Sequence, residues 1–202
     1  MAAFGPKDTE THMHSRISLS AITLALGFAI AAPLAIAPVY ADMTVMVGGA
    51  PMYPTKNIVE NAANSKDHTT LVAAVKAAGL VDTLESPGPF TVFAPTNEAF
   101  AALPKGTVET LLKPENKGML TSILTFHVVP GRLTEAEIDA MIRDGGGKAM
   151  LKTVQGEELT FQRSGGRLWV IDAKGDKAEV TIPNVMQSNG VIQVINKVLL
   201  PS

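Results

Sequence analysis

The chain has 202 residues, 46% of them hydrophobic and 18% charged, with a formal net charge of −2 and no cysteine. This is a globular composition with room for one domain. A slightly acidic balance without any Lys/Arg cluster excludes the phosphate neutralisation on which nucleic-acid binding depends. The missing cysteines exclude disulfides, thiolate metal or iron–sulfur ligation and thiol catalysis.

Residues 17–37, ISLSAITLALGFAIAAPLAIA, carry no charge, follow Arg16 and lead into the A-x-A-like Val39-Tyr40-Ala41. That is the pattern of a secretory signal peptide over residues 1–41, with Met13 offering a second start just before a compact basic region. The run is also just long enough to span a bilayer as an anchor. Its small residues, Pro33 and Pro38 favour cleavage after Ala41. The product would be secreted or periplasmic, without a transmembrane segment, and about 160 residues suffice to bury a core without staples.

Residues 42–55, DMTVMVGGAPMYPT, show no clear period and read as an extended N-terminal tether. Three methionines here lack any accompanying histidine, so a copper site is not indicated. From residue 56 one domain runs to the C-terminus. Ile58, Val59 and Ala62 share a helical face; Asp67 or Thr69 then caps a helix whose face is Leu71, Val72, Val75 and Ala78, with Gly79 closing it. A short helical turn over 80–85 gives way to Ser86-Pro87-Gly88-Pro89.

Residues 89–100, PFTVFAPTNEAF, form the hub. Phe90, Val92 and Ala94 alternate with Thr91 and Phe93 as in a buried strand, Pro95 stops it, and Thr96 caps a helix through Phe100. Short helices follow around 107–112 and 116–126, the latter with a face of Met119, Leu120, Ile123, Leu124 and Phe126. Thr134 with Glu137 predicts a capping box opening a helix over 135–143. From residue 148 the period becomes two: runs at 150–154, 159–162, 167–171 and 178–182, separated by glycine turns, predict a β-meander. The nearly continuous apolar run 191–200 predicts an interior strand. Helices first and strands second indicate an α+β fold.

Chemistry-bearing residues are few. Of four histidines, His12 and His14 fall in the leader. His68, between Asp67 and Thr69, reads as solvent-exposed, and His127, among apolar neighbours, reads as a buried histidine holding a backbone or hydroxyl group. No nucleophile elbow, P-loop or dinucleotide fingerprint occurs. The reading is non-enzymatic, without cofactor or metal.

Three ordered stretches, TVFAPTNEAF, LTFHVVPG and SNGVIQVINKVLLP, resemble the three motifs of fasciclin-domain proteins, and the likeness extends over most of the domain. The resemblance implies short helices packed against a β-wedge or sandwich of two small sheets. It also implies an exported bacterial cell-adhesion or surface-interaction module, monomeric and non-catalytic, binding a cell-surface or matrix protein or carbohydrate. Structural motif positions carried over are Pro95, Thr96, Asn97, Phe100, His127, Asn189 and Gly190. Recognition in animal members has been linked to regions that match Phe126, His127, Val128 and Val129 and, before the last motif, Asn184, Val185 and Met186. These are the candidate interaction residues. The chain departs from the pattern at Phe126, where tyrosine is typical, at Asn184 and Asn196, where aspartate is, and at Gln193, where histidine is common, so integrin binding does not carry over. A second reading, from the apolar helices and methionines, is a periplasmic carrier of a small apolar ligand.

Overall fold

The computed structural model describes residues 44–202. The predicted leader over 1–41 lies outside the described residues. The elements in chain order are strands β1 (Val45–Val47) and β2 (Ala50–Met52), helices α1 (Ile58–Asn64), α2 (Thr69–Ala78) and α3 (Val81–Glu85), strand β3 (Phe90–Pro95), helices α4 (Asn97–Ala101), α5 (Thr107–Leu111) and α6 (Lys117–Phe126), strand β4 (Val128–Pro130), helix α7 (Glu135–Asp144), and strands β5 (Ala149–Lys152), β6 (Glu158–Ser164), β7 (Arg167–Ile171), β8 (Lys177–Gln187) and β9 (Gly190–Ile195). The fold is α+β, with short helices against a mixed sheet.

Seven strands run in the order β4-β3-β9-β8-β7-β6-β5. Among the described residues the one parallel pair in this sheet is β3 with β9, in register from Phe90 opposite Gly190 to Pro95 opposite Ile195. Antiparallel partners flank both of these strands. β8 joins two smaller sheets: its first part pairs with β7, and Val180 onward pairs with β9. The register against β9 shifts between Val180 and Ile182 and again between Ile182 and Val185. Such bulges bend a strand, and here the bend opens the wedge. At the far ends of the order, the Val154 N–H donates to the Val128 carbonyl (2.8 Å), so the chain leaving β5 meets the edge formed by β4.

Because side chains alternate along a strand, β3 and β9 separate two cores. Val92, Ala94, Ile192 and Val194 face a helical core with Leu71, Val75, Leu120 and Leu124. Phe93 and Ile195 face a second core inside the wedge, with Phe126, Ile138, Leu159, Phe161 and Val170. The Phe93 and Phe161 rings lie 5.2 Å apart, within the range of favourable aromatic pairs. A strand buried on both faces reads as an apolar run instead of an alternating one, which is the pattern of 90–95.

Four local readings differ from the structure. Residues 45–52, within the stretch read as a tether, form a hairpin whose loop is Gly48-Gly49, both at positive φ, with Val47 opposite Ala50. Positive φ at both loop positions suits the twist of the flanking strands, and the hairpin buries Val47 and Met52 in the helical core. Neither Asp67 nor Thr69 caps α2; a 3₁₀ turn over Lys66–His68 precedes it, capped by Ser65. The last strand stops at Ile195, and the chain leaves it through Asn196, whose Oδ1 accepts from the Glu179 N–H (2.8 Å). On α6, Met119 lies off the buried stripe and is exposed.

Candidate functional site

The hub joins the two halves of the molecule through side chain to backbone bonds. Thr96 N-caps α4, its Oγ1 accepting from the Ala99 N–H (3.3 Å), while its own N–H donates to the Ile195 carbonyl beyond Pro95 (3.3 Å). Asn97 reaches the other way. Its Oδ1 accepts from the Thr70 N–H (3.0 Å) and Thr69 Oγ1 (3.2 Å), and its Nδ2 donates to the Lys66 carbonyl (2.8 Å). His68, at the N-cap of α2, makes no side-chain cap bond, so an orphan amide of that first turn is satisfied from a different helix. Phe100 packs into the helical core below. Asn97 is half-buried, and water can replace part of what it supplies. Asn97→Leu should therefore lower stability by about 1–2 kcal/mol, read as a lower denaturation midpoint; an unchanged midpoint would remove this role.

His127 is 2% exposed, at the end of α6. Its Nδ1 pairs with the Ile123 carbonyl (2.8 Å) and its Nε2 with the Leu199 N–H (3.0 Å). An amide can only donate, so Nε2 accepts and Nδ1 carries the proton; the ring is neutral and both nitrogens are used. Burial pushes its pKa down to about 4, against weaker raising influences from the Ile123 carbonyl and Asp172. With no lone pair or proton to spare, this imidazole is not placed to serve as a general base.

The last motif is equally occupied. Asn189 accepts from the Ile58 N–H (3.0 Å) and donates to the Leu84 (2.7 Å) and Ser86 (2.9 Å) carbonyls. Gly190 follows because a Cβ there would collide with the Phe90 carbonyl oxygen. Gln193 is fully buried; its Oε1 accepts from the Asn184 N–H (2.9 Å) and its Nε2 donates to the Leu133 carbonyl (2.9 Å). Asn184 holds φ +58° at the bulge of β8, a conformation asparagine tolerates, and its Oδ1 accepts from the Glu135 N–H at the start of α7 (2.7 Å).

The candidate interaction residues divide by burial. Phe126, Val129 and His127 are enclosed, Phe126 and Val129 in the wedge core; Val128 and Val185 lie in the helical core. Only Asn184 and Met186 are partly open to solvent, and Asn184 already spends its side chain on α7. The structure thus joins the two regions through the sheet without assembling them into one exposed patch.

The place between the helices and the sheet where the carrier reading would lodge its ligand lies on the other side of β3. An apolar cavity of about 70 Å³ sits between the helices and the sheet, lined among others by Ile58, Leu71, Val75, Leu84, Val92 and Leu124. His68 also lines it and is 2% exposed, which corrects the expectation of an exposed histidine. Burial pushes its pKa down, with the Ala94 backbone and then Asp67 acting weakly the other way. Its flanking Asp67 and Thr69 hid this. The readable signal was spacing: His68, Leu71, Val72 and Val75 fall at i, i+3, i+4 and i+7, one helical face. Among the described residues no group of three or more histidines, cysteines or carboxylates could hold a metal, and no helix is long and apolar enough to cross a membrane.

On the outer face of the meander, Gln162, Ser164, Gly165, Arg167, Trp169 and Lys177 line a shallow polar cleft of about 480 Å³. Trp169 lies half-buried there, its Nε1 donating to the Ser164 carbonyl (3.2 Å), and Arg167 pairs with Glu179 (3.1 Å).

Comparison with known proteins places this geometry. The family model described as "Fasciclin domain" matches residues 66–201. The chain is 45% identical to protein sll1483 of Synechocystis sp. over 94% of this chain and 99% of that one. It is 37% identical to immunogenic protein MPB70 of Mycobacterium bovis over 69% of this chain and 66% of that one. Among solved structures, a FAS1 domain pair from the insect cell adhesion molecule Fasciclin I matches with a TM-score of 0.66 at 20% identity, covering 73% of this chain and 52% of that one.

Proposed function

Since the chain belongs to the fasciclin domain family, we propose that it is an exported, non-catalytic interaction module, acting as a monomer on a cell-surface or matrix protein or carbohydrate. The observation that carries this reading is the placement of the motif residues: Thr96, Asn97, His127 and Asn189 all spend polar groups on backbone. Recognition then falls to faces outside the motifs. The outer face of the meander offers a half-buried indole beside Gln162, Arg167 and Lys177, the mix of flat apolar surface and polar rim that recognition surfaces favour. The test is attachment of the host cell to its natural surface. A strain lacking the protein should attach less, the wild-type chain should restore attachment, and Trp169→Ala should not. Normal attachment by the deletion strain would overturn the reading.

The cavity favours a second reading, a carrier of a small apolar ligand, because apolar pockets with a few polar groups are the usual form of ligand sites. Native mass spectrometry of the protein from its own host would then show retained extra mass. A mass equal to that of the polypeptide alone would count against it.

A further inference from the structure

We infer that the outer face of the meander around Trp169 binds an acidic polysaccharide, with one hexuronate ring stacked on the indole and its carboxylate against Lys177. The inference rests on the interaction-module reading and names the chemical class of the partner and the face that takes it.

The face follows from strand geometry. Leu168 and Val170 point into the wedge core, so Trp169 between them stands on the opposite side of the sheet. Register puts Gln162 of β6 and Glu179 of β8 directly opposite Trp169, and Lys177 opposite Ile171. Lys177 is therefore one diagonal step from the indole, within reach of a long side chain. The ring itself is fixed, its Nε1 donating to the Ser164 carbonyl (3.2 Å), and it is half-buried, so part of its surface stays open. A rigid, partly open indole offers contact area at little cost in side-chain entropy.

The surrounding groups select the ligand. Arg167 is neutralised by Glu179 (3.1 Å), whereas Lys177 is exposed and has no ion pair among the described residues. One cation of the cleft thus lacks a counter-ion, which calls for a single carboxylate in place of the several phosphates a nucleic acid would bring. The side-chain amide of Gln162 lines the same cleft and both donates and accepts, as sugar hydroxyls do. A pyranose ring has an apolar C–H face for the indole and hydroxyls at its rim for the amide; a hexuronate adds the carboxylate. A folded protein partner fits less well, because the cleft is shallow and polar and offers no deep pocket for a buried anchor side chain.

Trp169 is the one tryptophan of the chain, so the tryptophan fluorescence of the full-length protein reports this face alone. Titration with tetragalacturonate should change the emission saturably. Its methyl ester, the same sugar without charge, should bind roughly 3- to 10-fold more weakly. Lys177→Gln should bring acid and ester to one affinity, Lys177→Arg should keep the difference, and Gln162→Ala should weaken both alike. By calorimetry, Trp169→Ala should lose the heat of binding. Equal affinities of acid and ester for the wild type would overturn the acidic class and the role of Lys177. A response to tetraglutamate as strong as that to tetragalacturonate would overturn the saccharide. No response to tetragalacturonate would overturn the inference altogether, whereas the interaction-module reading falls only if the deletion strain attaches normally.

Discussion

Lowering the pH from 7 to 4 is expected to remove about 3 kcal/mol of folding stability through His127 alone. In the unfolded chain an imidazole titrates near 6.5, whereas in the folded protein the pKa is pushed down to about 4. The native state therefore binds fewer protons than the unfolded state throughout that window, so stability rises with pH there. The contribution is fully present above about pH 6.5 and is lost as the pH falls toward 4; about 2.5 units at about 1.4 kcal/mol each, less about 0.5 kcal/mol because the folded ring is half protonated at pH 4, gives the magnitude. His68, shifted in the same direction, adds to the slope. Denaturant unfolding at a series of pH values on the wild type and on His127→Gln checks this: the variant should be less stable at pH 7 and distinctly flatter between pH 4 and 6.5. An identical slope in the two proteins would place the proton uptake elsewhere.

The second large effect is expected at Asn189. Replacing it by Ala should cost about 3–5 kcal/mol, because one amide N–H and two carbonyls lose their partner at once where water has little access. Those partners are Ile58 at the start of α1, and Leu84 and Ser86 around the end of α3. Asn189 itself is 5% exposed. The loss should appear as a lower denaturant midpoint at constant slope. A cost below about 1 kcal/mol would show that solvent takes over these groups and that the side chain is not the tie between the last turn and the helices.

Local rules made much of the fold legible. Alternation and Pro95 located β3, Thr96 located the start of α4, and the Thr134/Glu137 capping box located α7, where both reciprocal bonds are present. Glycine turns separated the strands of the meander at nearly the right residues. What pattern could not show was pairing at long range. Nothing in 90–95 or 190–195 announces that they lie side by side in parallel, about a hundred residues apart in sequence, or that β8 bends to serve two sheets. The hairpin over 45–52 was missed because its strands are three residues each, too short for a period, although Gly48-Gly49 is a two-residue hairpin signal in its own right. His68 was misplaced for a related reason: neighbouring charge outweighed the helical face it shares with Leu71 and Val75. The Asn97 bonds to Thr70 and Lys66 were beyond reach, since they tie one helix start to another and follow no local spacing.

The bond between Val154 and Val128 has a bearing on how a partner can be engaged at all. An open sheet offers a row of unpaired amides and carbonyls to which an extended peptide or a second copy can add a strand. Here the two outermost strands are three and four residues long, and the chain beyond one of them already bonds to the other. The seven-stranded sheet is a nearly closed ring with little backbone to lend. A partner of the domain would therefore be engaged through side chains, and that same closure guards the sheet against zipping edge to edge into fibres.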